Sequence, residues 1–164
     1  MVLEVQILSE SLNVKPPERR SEGAAAYDIF TPSAFHIAPR SKFLVSTGLA
    51  LAIPENLCGL LWSRSGHALR KDVEVGAGLI DSDYRGEIMV LLRNFSEEET
   101  AYFEAGDAIA QLILMPCIAT SVRLVKQLST TQRGDGGFGS TDVKKPEGER
   151  AQRDKSPARS PQHE

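Results

Sequence analysis

The stretch FLVSTGLALAI, residues 43–53, carries the clearest structural signal in the chain. Its bulky residues fall at every second position, and small residues occupy most of the positions between them, namely Ser46, Gly48, Ala50 and Ala52. A period of two is typical of a β-strand with one bulky face, because successive side chains of a strand point to opposite sides of the sheet. The stretch therefore predicts a strand that packs one face against a core.

Shorter apolar runs lie along the rest of the chain. The run at 88–92 is apolar at every position, which is typical of a strand covered on both faces. Turn-forming segments around Pro54, Asp81 and Gly106 separate the runs, and no window of about 12 residues has the apolar spacing of a helix. This pattern predicts an all-β, jelly-roll-like barrel. The further predicted strands are residues 2–8, 58–62, 73–77, 87–94, 100–104, 109–116 and 122–128.

The composition is that of an ordinary globular protein. Of the 164 residues, 41% are hydrophobic and 25% are charged, and the net charge of −3 does not match a nucleic acid. No apolar run reaches the roughly 20 residues that span a bilayer, and the N-terminus, with Glu4 among its apolar residues, does not resemble a signal peptide. Cys58 and Cys117 form neither a CxxC nor a zinc pattern. We therefore expect an intracellular protein, in the cytoplasm or nucleus, with no membrane partner and no requirement for nucleic acid.

Residues 143–164 differ in composition from the rest of the chain. They hold six lysine or arginine residues, four acidic residues and three prolines, and Val143 is their one aliphatic residue other than alanine. Such a segment cannot bury enough apolar area to offset the entropy lost on ordering. The sequence predicts one domain over 1–142, which includes a glycine-rich arm at 133–142, and a disordered basic tail at 143–164.

The segment RGDGGFGST, residues 133–141, has the chemistry of a phosphate-binding loop. Its glycines allow the backbone to approach an anion closely, and Arg133 can hold a phosphate through its guanidinium fork. Ser140 and Thr141 can donate hydroxyl groups, and Phe138 can cover a base. A flexible linker explains the glycines equally well, and the GxxxxGK[ST] pattern of a P-loop is absent.

Two further turns carry groups with possible chemistry. The tripeptide RSG, residues 64–66, follows a predicted strand. It supplies the guanidinium of Arg64, the hydroxyl of Ser65 and a backbone N–H at Gly66 that no side chain shields, groups that suit a phosphate, although a plain surface turn fits the same tripeptide. In GLIDSDYRG, residues 78–86, Asp81 is either a turn former or a general base, and Tyr84 is either a half-buried core aromatic or a platform for a sugar. The histidines lack metal-ligand spacing, and His67 is expected to be a surface imidazole.

These segments occur in a recognisable order. AAAYDI, RSG, GLIDSDYRGE, GDAIAQLI and RGDGGFGST, spanning residues 23–141, resemble the five motifs of the trimeric dUTP pyrophosphatases (dUTPases). The resemblance implies an all-β, jelly-roll-like β-clip barrel and a homotrimer with active sites between subunits. It also implies hydrolysis of dUTP to dUMP and pyrophosphate with Mg²⁺, a reaction that keeps uracil out of DNA and supplies dUMP for thymidylate synthesis.

The resemblance also implies roles for individual residues. Asp81 would activate the attacking water, and Tyr84 would pack under the deoxyribose and exclude a 2′-hydroxyl. Asp28 would hold waters on Mg²⁺, while Phe138 would stack on uracil and Arg133 would reach the terminal phosphate. The remaining substrate-binding positions are Gly78, Leu79, Ile80 and Met89 around the uracil, Arg64, Ser65, Gly66 and Gln111 around the phosphates, and Gly139, Ser140 and Thr141 in the closing arm.

The chain departs from the usual family pattern at five positions. They are Ala26, Ser63, His67, Ala108 and Asp142, where glycine, proline, leucine, arginine and glycine are usual. None removes a reacting group, so they bear on affinity, closure and subunit contacts. Two alternatives stay open: a dCTP deaminase, which shares the fold but activates water with a glutamate, and a signalling or scaffold protein that keeps the dUTPase fold.

Overall fold

A computed structural model describes residues 1–9 and 13–136 of the chain. Within these ranges the chain forms strands β1 to β10 and one short helix, α1. In chain order these are β1 (Glu4–Ile7), β2 (Tyr27–Phe30), β3 (Phe35–Ile37), β4 (Lys42–Ala52), β5 (Leu57–Trp62), α1 (Ser65–Lys71), β6 (Val73–Ala77), β7 (Leu79–Ile80), β8 (Glu87–Asn94), β9 (Ala101–Phe103) and β10 (Ala108–Pro116).

The strands form three antiparallel sheets. One sheet has the order β1-β4-β8-β6, the second has the order β2-β10-β5-β7, and β3 pairs with β9 in a two-stranded sheet. All three sheets contribute to one hydrophobic core, which includes Val90 of β8, Leu112 of β10 and Phe103 of β9. The prediction of an all-β fold is therefore confirmed.

β4 is the strand that the alternating stretch predicts. Leu49 and Leu51 on its bulky face are buried. Gly48 has a φ of +70°, and the register with β8 shifts between Ser46 and Ala50. Such a bulge bends a strand, and glycine adopts the left-handed backbone there without the steric penalty of a side chain.

Several local predictions differ from the structure. The strand predicted at 122–128 is wrong: these residues have no regular structure, and Val122 and Leu124 are 91% and 95% exposed. An apolar run forms a strand only where a neighbouring strand accepts its backbone hydrogen bonds, and none within the described ranges does so. β2, β3 and α1 were not predicted, because three to seven residues are too few to show a period.

The chain divides into two compact units, Met1–Ser121 and Val122–Glu164. The second is described only to residue 136, so the predicted tail at 143–164 lies outside the described residues. No helix in the described part of the chain has the length and apolar character needed to cross a membrane.

Candidate active site

A pocket of about 330 Å³ lies between β8 and the segment that joins β6 to β8. It is lined on one side by β8 residues such as Ile88 and on the other by β7 and the turn that follows it. Six residues singled out from the sequence line this one pocket, namely Gly78, Leu79, Ile80, Asp81, Tyr84 and Met89. The structure therefore brings together a local group of predicted residues around a concave surface.

Gly78 brings the chain close to β5 at the entrance to β7. Its carbonyl oxygen accepts a hydrogen bond of 2.8 Å from the backbone N–H of Leu61. A Cβ atom on Gly78 would lie 2.5 Å from the carbonyl oxygen of Leu61, which is closer than carbon and oxygen approach without a bond. Only glycine fits this backbone-to-backbone contact, and it sets the position of the pocket wall.

Among the strands of the described ranges, β7 lies at the edge of its sheet, and some of its backbone groups face away from its one partner strand, β5. It pairs with β5 through Gly59 and Ile80 and through Leu60 and Leu79. Antiparallel strands alternate between hydrogen-bonded and non-hydrogen-bonded pairs. Because Gly78 is bonded to β5, the N–H and C=O of Leu79 point away from β5, toward the free edge. One donor and one acceptor are therefore available at a residue that lines the pocket.

The turn after β7 holds Asp81 and Tyr84 at the rim of the pocket. The N–H of Tyr84 donates to the carbonyl oxygen of Asp81 over 3.2 Å, which closes a β-turn. The Tyr84 hydroxyl donates to the carbonyl oxygen of Glu87 over 3.1 Å. Asp81 is exposed and the Tyr84 side chain is 46% exposed, so both groups are open to a ligand.

Glu87 supports this rim from behind, a role that the sequence did not predict. Its carboxylate accepts a hydrogen bond of 2.8 Å from the N–H of Gly48 and a second from the Ser46 hydroxyl. These bonds tie the start of β8 to the bulge in β4. The partners lie about 40 residues apart in sequence, so no local pattern indicates them.

A second cluster of predicted residues forms around the buried carboxylate of Asp28. Asp28 lies opposite Gln111 in the pairing of β2 with β10, and Gln111 lies opposite Trp62 in the pairing of β10 with β5. Residues directly opposite each other across a sheet share one face. Arg64 follows two residues after Trp62, and its Nε lies 3.5 Å from Asp28 Oδ1.

Arg20 is the second cation on Asp28, and sequence reasoning missed it. Its Nε lies 2.9 Å from Asp28 Oδ2, and the Asp28 residue is 2% exposed. The contact arises from an isolated bridge between Glu18 and Asp28. The hydrogen bond that Arg20 donates to the Asp28 carboxylate raises the pKa of the Arg20 guanidinium, which keeps Arg20 charged. Asp28 therefore lies between two guanidinium groups, within 3.5 Å of each.

The guanidinium of Arg64 is held on its other side by the carbonyl of Ala108. Arg64 Nη1 donates to this oxygen over 2.8 Å, and His67 Nε2 lies 2.7 Å from the same atom. Ser65 and Gly66 form the first turn of α1, immediately after Arg64. The structure thus positions the three residues of the RSG tripeptide at a helix start rather than in a plain surface turn.

His67 is half-buried, so the expectation of a surface imidazole is wrong. Its ring packs edge-on against Phe103, with centroids 5.2 Å apart. Burial of the ring lowers the pKa of His67 below its ordinary value of 6.5, and the charges of Arg64 and Lys71 lower it further, against the raising effect of the bond to the Ala108 carbonyl. The neutral imidazole donates from Nε2 to this carbonyl, because a carbonyl can only accept.

The pocket and the Asp28 cluster are separate within one chain. None of the five residues of the second group lines the pocket, namely Asp28, Arg64, Ser65, Gly66 and Gln111. Arg133 belongs to the second compact unit, where its Nε donates to the carbonyl of Gly136 over 2.9 Å. Phe138, Gly139, Ser140 and Thr141 lie outside the described residues.

The sequence is similar to a protein-family model and to known enzymes. The dUTPase family model matches residues 13–142. The probable deoxyuridine 5′-triphosphate nucleotidohydrolase of Schizosaccharomyces pombe is 43% identical over 139 residues, which cover 85% of this chain and 97% of that protein. The corresponding enzyme of Mus musculus is 43% identical over 127 residues, 76% of each chain.

The fold is also similar to solved structures of dUTPases. The dUTPase of Staphylococcus bacteriophage 80alpha with dUpNHpp superposes with a TM-score of 0.80 at 30% identity, covering 87% of this chain and 99% of that one. A mutant dUTPase of phage phi11 of S. aureus, described with a coordinated structural Mg(II) ion, has a TM-score of 0.72 at 28% identity and covers 77% of this chain and 98% of that one.

Proposed function

The chain belongs to the dUTPase family, and on that premise we propose that it hydrolyses dUTP to dUMP and pyrophosphate. The observation that carries the proposal for this chain is the pocket beside β8. Its wall and rim supply an edge-strand backbone, an exposed carboxylate and an exposed aromatic ring. These are the groups needed to read a base, activate a water and cover a sugar.

The base is recognised by the backbone of β7. The N–H and C=O of Leu79 offer one donor and one acceptor at the free edge, and uracil presents the complementary donor and acceptor along its own edge. Cytosine carries an amino group where uracil carries a carbonyl, so it would leave the N–H and C=O of Leu79 mispaired, and a site built to hydrogen-bond one base discriminates strongly against such a mismatch. The Met89 side chain lines the opposite wall and limits room for the methyl group of thymine.

Asp81 carries the chemical step. Its exposed carboxylate accepts a proton from water as the water oxygen forms a bond to the α-phosphorus. The bond from the α-phosphorus to the bridging oxygen breaks, and pyrophosphate leaves with that electron pair. The Tyr84 ring, fixed three residues away by the β-turn, packs under the deoxyribose and holds the nucleotide in line with the water.

The phosphate chain is bound by the cluster around Arg64. Its guanidinium is oriented by Asp28 on one side and by the Ala108 carbonyl on the other. A pre-oriented guanidinium stabilises charge on the departing pyrophosphate without having to reorganise during the reaction. Ser65 and Gly66 follow Arg64 directly, and Gln111 lies opposite Trp62 in the pairing of β10 with β5, so they are the further groups proposed to contact the phosphates.

Mg²⁺ is proposed to accompany the triphosphate. Among the described residues, no group of three or more His, Cys, Asp or Glu side chains is placed to hold a metal by itself. Asp28 fits a role through water: its Oδ2 accepts a hydrogen bond from Arg20, while its Oδ1 lies 3.5 Å from Arg64 Nε and keeps lone pairs for a proton of a metal-bound water. When bound, the ion would neutralise phosphate oxygens. Arg20 covers Asp28, so its side chain must move aside for such a water.

A homotrimer with shared sites is the assembly we propose. A nucleoside triphosphate needs both the pocket and the Arg64 cluster, yet the two have no lining residue in common within one chain. Large hydrophobic side chains are also exposed on the strands, among them Ile7, Phe43, Leu44 and Trp62. Exposed hydrophobic surfaces of this kind are typical of interfaces with another copy of the same chain. In the trimer, the closing arm with Arg133 and Phe138 would complete a site from a neighbouring chain.

The test is pyrophosphate release with Mg²⁺ from dUTP, dCTP, TTP and UTP in separate reactions, with ammonia followed in the dCTP reaction. We expect release from dUTP alone. Ammonia from dCTP would instead indicate a deaminase, and no turnover of any nucleotide by folded protein would favour a binding or scaffold role. Light scattering of the same sample tests the trimer, and a monomer that is fully active would contradict the shared site.

A further inference from the structure

Gly86 lies directly against the ring of Tyr84. A Cβ atom on Gly86 would lie 2.4 Å from the Tyr84 hydroxyl oxygen, 2.6 Å from Cζ and 3.0 Å from Cε2. Carbon atoms of neighbouring residues do not approach so closely, and all three nearest atoms belong to the same ring. The Tyr84 ring therefore occupies the space that any side chain at residue 86 would need.

Hydrogen bonds hold the hydroxyl end of the Tyr84 ring against the start of β8. Its hydroxyl is bonded to the carbonyl of Glu87, and the Glu87 carboxylate is bonded in turn to the N–H of Gly48 in β4. The ring is rigid, so pressure on its hydroxyl end turns it as a whole about its bond to the backbone. Tyr84 is 46% exposed, so the ring has room to turn toward solvent.

We infer that Gly86 is a specificity-determining position, because its lack of a side chain lets the Tyr84 ring lie where it closes the space beside the sugar. The inference rests on the proposed function. A methyl group at residue 86 would break the bond from Tyr84 to the Glu87 carbonyl and swing the ring off the rim. The space so opened would admit a 2′-hydroxyl, so the enzyme would lose part of its preference for dUTP over UTP.

The test compares the ratio of kcat/KM for dUTP to that for UTP in the wild-type protein and in the Gly86→Ala variant. We expect the ratio to fall about 10-fold or more, since one added or missing group in a pocket typically changes discrimination by this much. Gly23→Ala is the matched control, because among the described residues a Cβ atom there has no heavy atom within 4 Å apart from its chain neighbours, and its ratio should equal that of the wild type. An unchanged ratio in the Gly86→Ala variant, with active wild-type enzyme, would overturn this inference alone.

A double variant shows whether Gly86 acts through the ring. In a Tyr84→Ala background, the added Gly86→Ala substitution should leave the ratio where Tyr84→Ala alone puts it, because no ring remains to be displaced. If Gly86→Ala lowers the dUTP-to-UTP ratio as much in the Tyr84→Ala background as it does in the wild-type protein, the inference is overturned. If Gly86→Ala alone prevents folding, the double variant should fold, and its failure to do so would also overturn the inference. Wild-type protein that releases no pyrophosphate from dUTP would overturn the proposed function and this inference together.

Discussion

The N–H of Tyr84 donates to the carbonyl oxygen of Asp81 over 3.2 Å, so the carboxylate and the aromatic ring are the two ends of one β-turn. The backbone of this turn is set by four consecutive residues, and the hydroxyl of the Tyr84 ring is held in addition by the carbonyl of Glu87. The residue proposed to activate water and the residue proposed to cover the sugar are therefore joined by one hydrogen-bonded turn. The tertiary structure decides what the turn faces and, through the bonds of Glu87 to β4, supports the rim on which the Tyr84 ring lies.

Replacement of Asp81 by asparagine is expected to separate binding from chemistry. Asparagine keeps the shape of the side chain but cannot take a proton from water, so kcat should fall on the order of 10²- to 10⁴-fold. The dissociation constant for a non-hydrolysable dUTP analogue, measured by calorimetry, should stay within a few-fold of wild type. Asp83→Asn is the matched control, since Asp83 is an exposed carboxylate of the same turn that does not line the pocket. An equal fall in kcat in both variants would mean that a change in the turn, and not the loss of the Asp81 carboxylate, lowers the activity.

Replacement of Asp28 by asparagine is expected to weaken both stability and phosphate binding. The substitution leaves Arg20 and Arg64 without their buried anion, which should lower the free energy of unfolding by about 1–3 kcal/mol. The KM for dUTP should rise, because Arg64 loses one of its two anchors. Urea denaturation and steady-state kinetics measure the two effects. The exposed pair of Arg40 and Glu97 supplies the control, since Glu97→Gln should change stability by less than about 1 kcal/mol.

The lowered pKa of His67 predicts a stability loss in mild acid. The unfolded chain binds a proton at His67 near pH 6.5, whereas the folded chain binds it only at lower pH. This contribution to stability is therefore present above pH 6.5 and is lost as the pH falls through that value toward the folded-state pKa. Urea midpoints between pH 5 and 8 measure it. The His67→Leu variant should show a smaller decline below pH 6.5, and an identical decline would assign the effect to other groups.

Alanine at Gly78 is expected to disturb the wall of the pocket. The added methyl group would meet the backbone oxygen of Leu61, which cannot move without breaking the contact of β7 with β5. We expect a loss of about 1–3 kcal/mol in the free energy of unfolding and a raised KM for dUTP. Thermal unfolding and kinetics of Gly78→Ala beside Gly23→Ala provide the measurement. Wild-type stability in both variants would show that β7 shifts freely.

Truncation after Gln132 is expected to remove the closing arm and spare the fold. The core cluster lies entirely within the first compact unit, so circular dichroism and the size of the assembly should be unchanged. The kcat/KM for dUTP should drop sharply, because Arg133 and the following residues are missing. An unfolded or monomeric product would show instead that the segment is structural.

Much of the site was predictable because its residues are close in sequence. Gly78, Leu79, Ile80, Asp81 and Tyr84 lie within seven consecutive residues, and together with Met89 on the next strand they line the pocket. β6 and β8 were likewise predicted with the bounds that the structure has, since apolar pattern and turn formers are local properties of the chain. The order of the motifs then indicated the family, which the comparisons confirm.

Other features depended on the tertiary structure alone. The pairing of Arg20 with Asp28 and of His67 with the Ala108 carbonyl joins residues whose proximity follows from strand register, which no single segment encodes. The same reason explains the wrong strand at 122–128, because an apolar run becomes a strand only when a partner satisfies its backbone. By itself, then, the sequence determined the strand pattern, the turn that carries Asp81 and Tyr84, and the family. The tertiary structure decided which distant groups hold Asp28, Arg64 and Glu87 in place, because hydrogen bonds between strands depend on register and burial rather than on local composition.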